Sequence, residues 1–130
     1  MNTEPIQINL VLAWLWTLFG FGSGLLLGLN FHRENWLGGY ASHKRRLYRL
    51  GHISFFGLGF VNLLFYLTAQ KISASTPITV ASWAFAVGAV TMPICCLVMA
   101  HAPKYRALFA VPVSSLIIGA LFTLWEVTNL

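Results

Sequence analysis

His32, His52 and His101 stand at the edges of long apolar runs, and His43 lies in the linker between the first two. Histidines carried on different helices at one depth can supply the axial ligands of a haem iron, or hold a metal through neutral imidazole. The pairs His52–His101 and His32–His101 are therefore candidates for a b-type haem. Gly51, Gly57 and Gly59 leave room beside His52 for a flat macrocycle. The competing reading is that these imidazoles meet water and headgroups at a membrane surface. A second constellation is Met92, Cys95, Cys96 and Met99, running toward His101. Spacing of i, i+3/i+4, i+7 puts soft sulfur donors on one helical face, and such donors suit Cu(I). Cys and Met are equally ordinary apolar filler, and no other span offers a sulfur partner. Adjacent cysteines on one helix point about 100° apart and do not readily bridge each other.

Other chemistry is scarce. Of the three carboxylates, Glu4 and Glu126 lie near the ends of the chain and Glu34 lies in a linker. No span carries an Asp, Glu, Lys or Arg at its centre, which argues against a pump or proton-coupled carrier. No catalytic residues are expected.

The elements that position these side chains follow from composition. The 130 residues are 58% hydrophobic and only 8% charged, against about 25% charged in a soluble domain. About 20 apolar residues cross a bilayer as a helix. Runs at about 8–31, 50–70, 78–101 and 105–127 are long enough. None alternates in the manner of a barrel strand. The expectation is a single all-α integral membrane domain over residues 1–130, a bundle of four transmembrane helices. The first run lacks a basic start and is read as a retained span rather than a cleaved signal.

Seven of the eight Lys and Arg residues occupy the linkers after the first and third runs: Arg33, Lys44, Arg45, Arg46 and Arg49, then Lys104 and Arg106. Basic linkers stay in the cytoplasm during insertion. Both termini are then expected outside, with two hairpins closed on the cytoplasmic side, in a bacterial inner membrane. Insertion accounts for the net charge of +5, so no nucleic-acid partner is expected. Nine Trp and Tyr residues, Trp16 among them, are read as interfacial girdles with none at mid-membrane. The run Lys44, Arg45, Arg46 and Arg49 is read as contacting lipid headgroups or a partner subunit.

Packing in lipid favours small residues. Gly20, Gly24 and Gly28 form one stripe, Ser115 and Gly119 another, and Ala84 and Gly88 a third. The stripes imply internal packing, or in the first case contact with another chain. Asn62 reads as the one strongly polar side chain near mid-span, expected to hydrogen-bond between helices. Pro93 and Pro112 each free a carbonyl one turn earlier and can open a pocket in the inner half.

The expected function is a small accessory or structural subunit of a larger, energy-transducing or respiratory membrane complex. It would pack through glycine-rich faces and a basic cytoplasmic loop, with other subunits or a second copy as partners. The alternative is electron transfer on haem b held by the inner-face histidines. A lesser alternative is quinone or lipid binding in the proline-kinked pocket.

Overall fold

The computed structural model describes residues 4–130, with side chains from Ile6 onward, so the Glu4 carboxylate lies outside the described residues. Four α-helices run antiparallel in sequence: α1 (Glu4–Asn30), α2 (His43–Ala69), α3 (Thr76–His101) and α4 (Ala110–Thr128). Two 3-10 segments, Trp36–Gly38 and Pro103–Phe109, bridge α1 to α2 and α3 to α4. All four helices are long and apolar enough to cross a membrane, the fourth counted with the 3-10 turn before it. Among the described residues there is no strand. Both bridges, with their basic residues, lie at one end of the bundle, called the basic end below.

The helix limits differ from the hydropathy runs mainly at the basic end. α2 begins at His43, seven residues before the apolar run. Ser42 is the reason: its hydroxyl accepts from Arg45 N at 3.1 Å and donates to the Leu37 carbonyl at 2.6 Å. That cap satisfies a free donor of the first turn, and Lys and Arg are good helix formers. His43 and the basic run are thus helical rather than linker. At the opposite end Ser75 caps α3, accepting from Ile78 N at 3.3 Å and donating to Glu126 Oε1 of α4 at 2.7 Å.

α1, α2 and α3 pack around a common core, while α4 packs mainly against α3. Leu12, Trp16, Leu58, Ala86 and Ala89 form one buried cluster, and Phe65, Ala69, Ile78, Ala81 and Phe85 form the other. Small residues set the closest approaches. A Cβ at Gly59 would lie 3.1 Å from the Ala13 carbonyl oxygen, so the backbones of α1 and α2 nearly touch there. Leu116 fills the space over Gly88, and Phe85 lies on Gly119. Ser115 crosses to α3 and donates to the Ala84 carbonyl at 2.7 Å. The α1 stripe divides: Gly20 receives the Phe56 ring and Gly24 receives His52, whereas nothing stands over Gly28. Its first two glycines therefore seat α2, not a second chain.

One backbone problem is solved from across the bundle. Proline at 93 leaves the Ala89 carbonyl without its helical N–H. The Trp16 indole donates to that oxygen at 2.9 Å. Trp16 is buried and lies near the middle of α1, which corrects its assignment to an interfacial girdle. Pro112, by contrast, stands in the first turn of α4, where no helical N–H is needed; the Leu108 carbonyl accepts from the Ala110 N–H and also faces the Cys95 thiol at 3.4 Å.

Asn62 is fully buried but is not the only such amide. Asn9 Nδ2 donates to Asn62 Oδ1 at 2.7 Å and to the Ser82 carbonyl at 3.1 Å, and Ser82 Oγ donates to Asn9 Oδ1 at 2.5 Å. Asn62 Nδ2 donates to the Leu58 carbonyl at 2.9 Å. One polar knot thereby joins α1, α2 and α3. Asn9 escapes a hydropathy reading because it sits at the edge of the first apolar run, although α1 begins well before it.

The Trp16–Pro93 pair makes a specific prediction. Trp16→Phe removes the donor and should destabilise the bundle by about 1–3 kcal/mol, the cost of an unmet buried acceptor. Pro93→Ala restores a helical N–H to Ala89, so the same Trp16→Phe change made in that background should cost less than about half as much. Equal costs in the two backgrounds, measured by reversible unfolding in bicelles, would contradict the pairing.

Candidate functional site

The basic end is organised around Arg45. This residue is only 2% exposed. Its Nη1 donates to the carbonyls of Arg33 at 3.3 Å and Glu34 at 3.5 Å, and its Nη2 donates to that of Phe31 at 3.3 Å. The guanidinium also lies over the rings of Phe31, Trp36 and Tyr40, each 5.5–5.6 Å away. Its Nε alone has no partner. Carbonyl dipoles and ring faces, rather than carboxylates, offset the cost of burying this charge. Arg45 is therefore not a lipid-facing residue, which corrects the reading of the basic run as one surface. Arg46 is exposed and Lys44 half-buried. Arg49 stacks over Tyr40 at 4.2 Å and donates to its carbonyl at 3.4 Å.

The linker that Arg45 holds has an unusual backbone. Leu37 adopts φ 54°, followed by Gly38 at 86° and Gly39 at 100°. Left-handed geometry is costly for leucine and cheap for glycine. The Ser42 hydroxyl bond to the Leu37 carbonyl helps hold this turn. The turn brings Trp36 beneath the basic ends of α1 and α2.

Above Trp36 lies an apolar cavity of about 400 Å³. Ser23, Leu26, Leu27 and Asn30 line it from α1, Tyr48, Gly51, His52 and Phe55 from α2, and Pro93 and Leu97 from α3. Leu26 and Leu97 are also exposed on the outside of the bundle, so the cavity opens sideways between helices. Three other grooves have no titratable lining.

His52 is the imidazole in the cavity wall. Its Nδ1 is 2.8 Å from Ser23 Oγ, and its ring stands edge-on to Phe56 at 5.5 Å. It fits against α1 because Gly24 has no side chain: a Cβ there would lie 2.9 Å from the imidazole Cε1. Tyr48, one turn nearer the basic end, shares a hydrogen bond of 2.8 Å with His101 Nε2. His101 is exposed at the end of α3. Aromatic lining and few polar groups suit a small amphipathic ring.

The histidines do not form one layer. His101 is level with Tyr48, about 6 Å along the axis from His52, given a rise of about 1.5 Å per residue. His32 is exposed in the turn beyond α1. The cavity is lined by one imidazole rather than two, so neither candidate haem pair is assembled around it. Nor do the glycines frame a macrocycle: a Cβ at Gly51 would sit 3.4 Å from Cys96 Cβ, Gly59 meets Ala13, and Gly57 faces open space.

The sulfur residues diverge as well. Cys95 turns to Leu108, Cys96 packs toward Gly51, and Met92 packs against the Leu12–Trp16 cluster. Met99, half-buried two residues before His101, completes the stretch. Among the described residues no three His, Cys, Asp or Glu side chains gather closely enough to hold a metal ion.

Sequence reasoning missed Ser23, Tyr48 and Trp36 as site residues. The available signal for Ser23 was its place one residue before Gly24 in an apolar run. Tyr48 and Trp36 had been assigned to an interfacial girdle. No family model, curated protein or solved structure matches the chain.

Arg45→Gln should loosen the turn while leaving the helices folded. Amide hydrogen exchange over residues 33–42 should rise at least about tenfold, the response expected when about 1.4 kcal/mol of local stability is lost. Unchanged exchange would show that Arg45 does not hold the turn.

Proposed function

We propose that this is an integral membrane protein that binds a lipid-phase small molecule with a polar ring in the cavity at His52. The observation that carries the reading is the pairing of that cavity with His52. His52 lines, with Ser23, Trp36 and Tyr48, a cavity whose wall is almost wholly apolar and which opens sideways between helices. Quinones and related isoprenoid or acyl ring compounds have the required shape: a flat head for the aromatic walls and a tail that remains in lipid. Pocket volumes of about 300–1,000 Å³ are usual for ligands of this size.

The proposed setting is a bacterial cytoplasmic membrane. The Lys/Arg asymmetry supports placing the basic end in the cytoplasm and both termini outside. Haem b is the weaker alternative here, because only His52 lines the cavity.

The helix surfaces favour a second, compatible reading as an accessory subunit of a larger membrane complex. α4 contributes few buried residues, and the α1 stripe continues past its packed portion to the uncovered Gly28. Lipid alone can cover these faces, so the test is whether other chains co-purify in mild detergent.

For the binding reading, the full chain in nanodiscs should retain a small apolar molecule from a membrane lipid extract, detected by native mass spectrometry. His52→Ala should weaken retention about tenfold, the value of one buried hydrogen bond. Leu97→Trp should abolish retention by filling the opening. Retention unaffected by either change would place the ligand elsewhere.

A further inference from the structure

The exposed residues of α2 fall into one stripe. His43, Arg46, Leu50, Ile53, Phe60 and Leu64 are all exposed. At about 100° per residue, each lies within about 60° of the direction of Arg46 around the helix. Beyond Arg46 the large side chains of this stripe are apolar, in a helix long and apolar enough to cross a membrane. The stripe is thus a lipid-facing surface that ends in an imidazole and a guanidinium.

The other cations of α2 are committed elsewhere. Arg45 is buried against the linker carbonyls, and Arg49 stacks over Tyr40 at 4.2 Å. Lys44 is half-buried and lies about 160° around the helix from Arg46, on the face that carries Tyr48. The Arg46 side chain has no hydrogen bond, ion pair or ring contact among the described residues. Nor can the chain neutralise this end of the bundle by itself. Seven Lys and Arg residues stand there with one carboxylate, Glu34. Glu126 is at the opposite end, where it accepts from Ser75 at 2.7 Å.

We infer that Arg46 and His43 hold the phosphate of an anionic phospholipid, with its acyl chains along Leu50, Ile53 and Phe60. Arg46 lies about 6 Å beyond Leu50 along the axis, given about 1.5 Å per residue. With Leu50 at the edge of the hydrocarbon, the guanidinium is at headgroup depth. Its planar fork matches two phosphate oxygens, and the imidazole adds an N–H donor. An acidic protein would also be attracted to a cation here. The apolar stripe that continues from Arg46 favours a ligand carrying a phosphate and hydrocarbon chains together. A zwitterionic lipid is the poorer occupant, because its own ammonium already offsets its phosphate. This surface is separate from the cavity, since His52 lies about 120° from Arg46 around α2.

The test uses the full chain in nanodiscs holding equal amounts of phosphatidylglycerol and phosphatidylcholine with the same acyl chains. Native mass spectrometry counts the lipids that stay bound on ejection. Phosphatidylglycerol should be retained at least about fivefold over phosphatidylcholine, and Arg46→Gln should lower that ratio about fivefold or to parity. Arg46→Lys, which keeps the charge, should retain at least about half of the ratio. Lys71→Gln at the opposite end, and Leu97→Trp at the cavity opening, should leave it unchanged. Excess inorganic phosphate should not displace the lipid. Equal retention of the two lipids, or a ratio unaltered by Arg46→Gln, overturns the inference without touching the cavity reading. Displacement by inorganic phosphate also overturns it, and assigns Arg46 to a soluble anion.

Discussion

A backbone carbonyl in hydrocarbon has no water to turn to, and this constraint shapes the protein more than any other. Proline at 93 leaves the Ala89 oxygen in need of a donor, and Trp16 supplies it from α1. The bond ties the middle of α1 to α3 at one height and one rotation. The Asn9–Asn62–Ser82 knot does the same about two turns away, drawing in α2. Apolar contacts alone discriminate weakly among helix registers in lipid, because the competing lipid contacts are also apolar. Directional bonds discriminate well. The register of the three core helices thus rests on a few polar atoms, with small residues such as Gly59 and Gly88 letting the helices come close enough to make those bonds.

The same accounting explains the basic end. A buried guanidinium is costly unless its donors are met. Arg45 meets most of its own with the carbonyls of Phe31, Arg33 and Glu34, in the linker just past the end of α1. One side chain therefore closes the α1–α2 hairpin and places Trp36 under the cavity. Arg46, one residue later, is exposed. Two neighbouring arginines alike in the sequence thus differ, since only Arg45 holds the turn.

The cavity lies near the basic end, between α1, α2 and α3 and above Trp36. His52 reaches α1 only because position 24 is glycine, and Ser23 beside it orients the ring. The histidines that appear equivalent in the chain occupy different settings: His52 in an apolar wall, His101 at the exposed end of α3, and His32 in an exposed turn. The proposed ligand-binding role centres on the first. The proposed accessory role in a larger assembly rests on the broad faces of α4, and the two proposals are compatible.

What the chain determined by itself is what depends on composition and local spacing. Apolar runs longer than a bilayer is thick require four helices, and basic linkers mark one end. Pro93 announced that a carbonyl would need a partner, and the small-residue stripes marked where helices could approach. The partners themselves were settled by tertiary structure. Trp16 and Ala89, like Asn9 and Ser82, are 73 residues apart, and their meeting depends on helix rotation, which hydropathy does not encode. Depth was the other casualty. Hydropathy locates the end of an apolar run, not the end of a helix, so α2 began seven residues early and the supposed single layer of histidines separated into different depths. The site was legible as a set of residue types, but not as the Ser23–His52 pairing that gives one of those residues a direction.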